Sequence, residues 1–375
     1  MIVLLLGPMI LCRLALGLDV VELRGDLGEL QGTVLASDEA TLRIENSEGI
    51  RQEVAWDLVR DIRFDDPDGQ NKAMADRLAR ANDIWRARSR LQRGDVDLAE
   101  PLFEKYFVPT PSNRDETSLI IAEGLLRCRL SRGDLVDAIL PALETMRLRR
   151  LGVETDRYEQ LGLLHDPGSG LCIYLPPAWA HETARSRLLS QLEQWDAGGD
   201  ETLADVADTY RVLVEYPSGT IPESLLEKES DPVQRAGQEH PAFRLLELAV
   251  ESRRDSVETR RSARAKMRSL LKQPSDWKRP WLHYLLGVSL LQESGDGMRR
   301  KGLVELAWIP SRYGSEHPYL AGIAMAMMAA ELDRQGETEP AAKLRYELGT
   351  HYENHPAFRP RVADTVQKSQ EELMR

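Results

Sequence analysis

Residues 281–352 constrain the fold most, because their apolar side chains recur every three to four positions and the breaks fall at glycines. Between 317 and 334, Leu320, Ile323, Ala324, Met327, Met328 and Leu332 mark one helix face. Gly336 interrupts the pattern, and glycine there tolerates the left-handed conformation that ends a helix. Ala341, Leu344, Leu348 and Tyr352 then mark a second helix, followed by His355 and Pro356. Two consecutive helical hairpins are therefore predicted here. The same unit is traceable upstream, with helices predicted over 72–93 and 96–106, and over 116–132 and 135–150.

A small residue recurs five positions after a turn glycine: Ala99 after Gly94, Ala138 after Gly133, Gly302 after Gly297 and Ala341 after Gly336. Two antiparallel helices joined by a short turn need a small side chain where they cross. This pattern resembles the tetratricopeptide repeat, which has a glycine at the turn and an alanine five residues on. The first unit matches it best, with Ala87, Phe103 and Pro111 at the remaining characteristic positions. The unit around Gly133 departs from it, with Leu126 where a small residue is expected and Arg150 where proline is expected. The resemblance is to the superfamily of helical-hairpin repeats rather than to a regular array. It implies a mainly α chain, an irregular α-solenoid over 72–375, that binds a protein or peptide partner through its repeat surface. It implies no cofactor.

Residues 18–64 read differently. Val20–Leu23, Leu30 to Val34, Leu42 to Ile44, Gln52 to Trp56 and Ile62 to Phe64 alternate apolar and polar residues, and short polar turns separate them. Period-2 strands with tight turns make an antiparallel meander. With a one-turn element at 57–59 before the last strand, the stretch resembles a small SH3-like or Sm-like β-barrel. So small a module buries little surface and is expected to lean on the helices that follow. The acidic run 65–71 reads as a linker.

Residues 1–17 are apolar except for Arg13 and end in Ala15-Leu16-Gly17, with small residues at the positions a signal peptidase requires. The stretch is too short for a stable membrane anchor. Export to the periplasm or envelope is the expectation, with no transmembrane anchor in the mature chain. The net charge of −12 disfavours nucleic acid as a partner. Of the three cysteines, Cys128 and Cys172 remain after cleavage, either paired or as two buried small side chains.

Residues 151–180 interrupt the helices with a turn cluster at 165–170 and a short apolar run at 171–175. Irregular segments of that length inside a helical array are often functional or pack across a groove. Helix resumes over 183–195, 202–216, 241–272 and 277–292, and a polar terminal helix is predicted over 360–374.

No Gly-rich phosphate loop, GxSxG elbow, HExxH or CxxC occurs. His351 and His355 have the four-residue spacing of metal ligands on a helix, but Pro356 ends that helix and further ligands are missing, so no metal site is assigned. Between 251 and 272, eight cations face three acids. Arg253, Arg260, Arg261, Arg264 and Arg268 are the candidate basic face, suited to an anionic glycan or membrane surface, or to pairing with an acidic neighbouring helix. Three functions follow: a non-enzymatic scaffold or adaptor, an envelope glycan or peptide hydrolase using His165, Asp166 and His181, and a self-associating structural envelope protein. The motifs favour the first.

Overall fold

The computed structural model describes residues 18–38, 41–65, 72–176, 185–216, 220–222, 240–273, 276–352, 355 and 357. The candidate signal segment, most of the linker, His181 and the predicted terminal helix lie outside the described residues. The chain is mainly helical, with a small antiparallel sheet at its N-terminal end. It divides into two compact units between Ser89 and Arg90.

The first unit is a five-stranded antiparallel sheet: β1 (Asp19–Leu23), β2 (Glu29–Ser37), β3 (Thr41–Glu45), β4 (Arg51–Ala55) and β5 (Val59–Arg63), in the order β4-β3-β2-β1-β5. The alternation read from the sequence puts Val21, Leu42, Ile44, Val54 and Ile62 inside; Val59, read as part of the one-turn element, instead opens β5 and is buried with them. A register shift between Val34 and Ala36 lets the long β2 serve both β1 and β3. A one-turn helix (Trp56–Leu58) precedes β5, and Trp56 Nε1 donates to the Asp38 carbonyl at 2.9 Å. Gly32 lies so close to β3 that a Cβ there would sit 2.2 Å from the Glu45 carbonyl oxygen.

Helix α1 (Lys72–Gln92) sends Met74, Leu78 and Ala81 into the core of the sheet. The compact unit therefore ends inside α1, beyond the linker at which composition divides the chain. The cause is burial: a sheet with one apolar face needs that helix to cover it.

The second unit contains α2 (Val96–Tyr106), α3 (Glu116–Arg132), α4 (Leu135–Arg150), α5 (Arg185–Gln194), α6 (Glu201–Glu215), α7 (Arg244–Glu251), α8 (Val257–Leu270), α9 (Arg279–Leu291), α10 (Asp296–Trp308), α11 (Pro318–Arg334) and α12 (Thr338–His351). Most of these helices pack on their neighbours in sequence. Gly133 closes α3 at φ 74°, its N–H reaching the Arg129 and Leu130 carbonyls. Ala99, Ala138 and Ala341 are fully buried. Gly302 serves where α9 and α10 cross: a Cβ there would lie 3.0 Å from the Gly287 oxygen. Gly297, however, lies within the first turn of α10, and Gly295 is its N-cap. Pro141 inside α4 leaves the Asp137 carbonyl without its helical donor, and Arg129 Nη1 from α3 takes that place at 2.7 Å.

The helix predicted over 241–272 is two helices, α7 and α8. Ile221 N donates to the Arg253 carbonyl at 2.7 Å, and Asp255 N donates back to Ile221 at 3.2 Å. These sideways bonds take backbone groups that a continuous helix would use. Ser256 then caps α8 by accepting from Thr259 N at 3.1 Å.

Candidate functional site

The irregular segment after α4 is described over 151–176, with one 3-10 turn at Glu159–Leu161. Its Leu164, Leu171, Cys172, Ile173 and Leu175 are buried. Aromatic side chains from the helices bind its backbone: Tyr210 Oη donates to the Leu175 carbonyl at 3.1 Å and Trp281 Nε1 to the Ile173 carbonyl at 3.2 Å. Within the segment, Tyr158 Oη donates to the Ile120 carbonyl of α3 at 2.7 Å. The segment is thus a core element around which the helices pack.

Between this segment and the C-terminal halves of α3 and α4 lies a groove of about 680 Å³. Its floor is organised by Glu123, a buried carboxylate that accepts from Arg127 Nε and Nη2 at 3.0 and 2.8 Å and from Arg149 Nη2 at 2.7 Å. Burial alone would raise the Glu123 carboxyl; the Arg127 charge and the Arg149 hydrogen bond outweigh it and hold the group below its ordinary range. Arg127 also donates to the Leu161 and Gly162 carbonyls and lies over the Tyr158 ring. One guanidinium therefore ties the irregular segment to α3.

His165 lines the same groove and is 7% exposed. Its Nε2 is buried without a hydrogen-bond partner. Burial pushes its pKa down to about 4, against the pull of Glu123 and with Arg149 and Arg127 opposing the proton. The ring is neutral at neutral pH. Asp166 accepts from Ser169 N at 2.9 Å, Ser169 Oγ at 2.7 Å and Trp277 Nε1 at 3.1 Å. Burial raises the Asp166 carboxyl, but these bonds bring it below its ordinary value. Of the three residues read as a possible catalytic cluster, His165 and Asp166 both line the groove, Asp166 also holding the turn that follows it, and His181 lies outside the described residues. Leu163 and Glu159, both exposed, line the groove at its lip. The result is a preformed concavity with a bonded floor and a partly apolar lip.

The candidate basic face is split. Arg253, Arg260 and Arg264 are buried. Arg260 donates to the Arg254 and Asp255 carbonyls at 2.7 and 2.8 Å, and Arg264 reaches Glu293 at 2.7 Å and Ser289 Oγ at 3.0 Å. Arg261 is exposed and pairs with Glu258 at 2.9 Å; Arg268 is also exposed. The cations of α8 thus mostly fasten it to its own N-terminal turn and to the residues at the end of α9, rather than forming one outward face.

His351 and His355 border a second cavity, of about 1120 Å³, but have different partners. His351 Nε2 lies 3.1 Å from Glu347. His355 Nε2 donates to the Tyr319 carbonyl at 2.8 Å, and its Nδ1 accepts from Ala357 N at 3.0 Å. Among the described residues no group of three or more His, Cys, Asp or Glu is placed to hold a metal ion. Cys128 and Cys172 are both free and buried, and burial pushes each thiol up to about 12. No helix among the described residues is long and apolar enough to cross a membrane.

Sequence reasoning missed the Glu123–Arg127–Arg149 cluster. Glu123 and Arg127 stand four apart within the apolar middle of α3, a legible pair. Arg149 comes from another helix and carries no local signal. No protein-family model, curated protein or solved structure matches the chain.

Proposed function

We propose that this chain is an exported, non-enzymatic scaffold that binds a protein or peptide partner through its helical unit. In this reading the unit is an irregular solenoid of the tetratricopeptide type, the N-terminal sheet is an SH3-like or Sm-like module offering a second docking surface, and the mature chain works in the periplasm or envelope. The observation that carries the reading is the groove beside α3 and α4. It is walled by a helical hairpin and floored by charge-assisted bonds that exist before any partner arrives. A surface ordered in advance loses less conformational entropy on binding than one that must be ordered by the partner.

The test is crosslinking capture of the C-terminally tagged chain from the envelope fraction of its own cells. Recovery of one other protein in near-stoichiometric amount supports the scaffold. Recovery of the chain alone supports self-association instead, and its absence from the envelope fraction removes the export part of the reading.

A further inference from the structure

The first unit carries a cation without a matching carboxylate. Arg24 follows β1, and its backbone N–H donates to the Leu58 carbonyl at 2.8 Å. Its side chain turns inward and the residue is 8% exposed. The guanidinium lies over the Trp85 ring, 4.7 Å from the centroid, and Nη2 donates to Asn82 Oδ1. Its Nε is buried without a partner. Among the described residues no salt bridge forms to Arg24; Asp57 pairs with Arg88, Asp83 with Arg86, and Glu22 with Arg60.

The field at this guanidinium is cationic. Burial lowers the Arg24 pKa to about 10; Arg60, Arg88 and Arg86 push the same way, and Asp57 alone pulls against them. Burying a cation without a counter-charge is costly, so such groups are ordinarily paired. Here the cation opens on a cleft of about 500 Å³, lined also by Ala79, Asn82, Asp83, Trp85 and Arg86. Arg86 is half exposed at its side chain and Trp85 is 36% exposed. A buried donor, a second cation at the lip and a flat apolar wall therefore meet in one place.

We propose that the Arg24 cleft binds an oxyanion, phosphate or carboxylate, carried on a flat apolar group that rests on the exposed part of Trp85. The oxyanion accepts from the Arg24 guanidinium and from Arg86 beside its Asp83 partner, supplying the direct ion pair that Arg24 does not make. Arginine suits this role because its planar fork matches both oxyanions. The site is independent of the helical groove, so either reading can fail alone.

The test is calorimetric titration of the full chain at low salt with phenyl phosphate, benzoate and inorganic phosphate. The expected result is one saturable site, with the aromatic anion bound more tightly than inorganic phosphate. Tighter binding of phenyl phosphate than benzoate assigns a phosphate source, and the reverse assigns a carboxylate source. Arg24→Gln is expected to weaken binding about tenfold or more, the loss of one charge-assisted hydrogen bond. Should that variant fail to fold, Arg86→Gln alters a half-exposed residue and is expected to weaken binding measurably. Trp85→Leu should erase the preference for the aromatic anion over inorganic phosphate. Absence of saturable binding to all three anions, or binding unchanged in a folded Arg24→Gln or Arg86→Gln protein, overturns the proposal.

Discussion

Replacing His165 with glutamine changes how the stability of the helical unit responds to acid. The imidazole is buried with its Nε2 unpartnered and faces Glu123 and Arg127 from α3 and Arg149 from α4. Its pKa is about 4 in the folded chain, against an ordinary 6.5. Above pH 6.5 both states hold the ring neutral and it contributes nothing. As pH falls from 6.5 towards 4, the unfolded chain takes the proton and the folded chain does not, so stability is lost. Linkage gives about 2 kcal/mol lost between pH 7.5 and pH 5, rising to about 3 kcal/mol below pH 4. The His165→Gln chain lacks this term, while the carboxylates titrate in both proteins and largely cancel in the difference. Denaturant unfolding of both chains at pH 7.5 and pH 5, followed by near-ultraviolet circular dichroism, measures it. The wild-type chain should lose about 2 kcal/mol more than the variant over that interval. Parallel losses in the two chains would refute the reasoning, since they would mean that the folded imidazole titrates normally.

Three further outcomes are expected. Glu123→Gln removes the carboxylate that three arginine bonds share, and should lower unfolding stability by about 3 kcal/mol in chemical denaturation. Gly32→Ala places a Cβ against the Glu45 backbone oxygen, which cannot retreat without parting β2 from β3; a loss of about 3 kcal/mol or more should appear as an early thermal transition. Cys128 and Cys172 should resist a charged thiol reagent in the native chain and react together on unfolding, because both are buried and their thiols are raised to about 12.

The spans of α2, α3 and α4 were legible because apolar period and turn glycines act locally. The first four strands were legible for the same reason, whereas β5 begins at Val59, three residues before the strand read there. The break between α7 and α8 was not, since it depends on Ile221, some thirty residues away. Nor was the end of the first unit, which depends on Met74 and Ala81 meeting the sheet. The basic face was misleading because a charge count does not say which side of a helix faces the core. Yet Arg260 and Arg264 share a face with Ala263 and Met267, all buried, and that interleaving was readable. Of the groove, the turn at 165–170 and the apolar run after it were visible; the arginine clamp from two helices was not.

The most direct measurement is site-specific photo-crosslinking in the native cells, with the reactive side chain at Leu163 on the lip of the groove or at Tyr346, exposed on α12. A partner-binding groove predicts one protein crosslinked from position 163 and not from 346, and lost when Glu123→Gln loosens the floor. The same products from both positions, or none from 163, would contradict it.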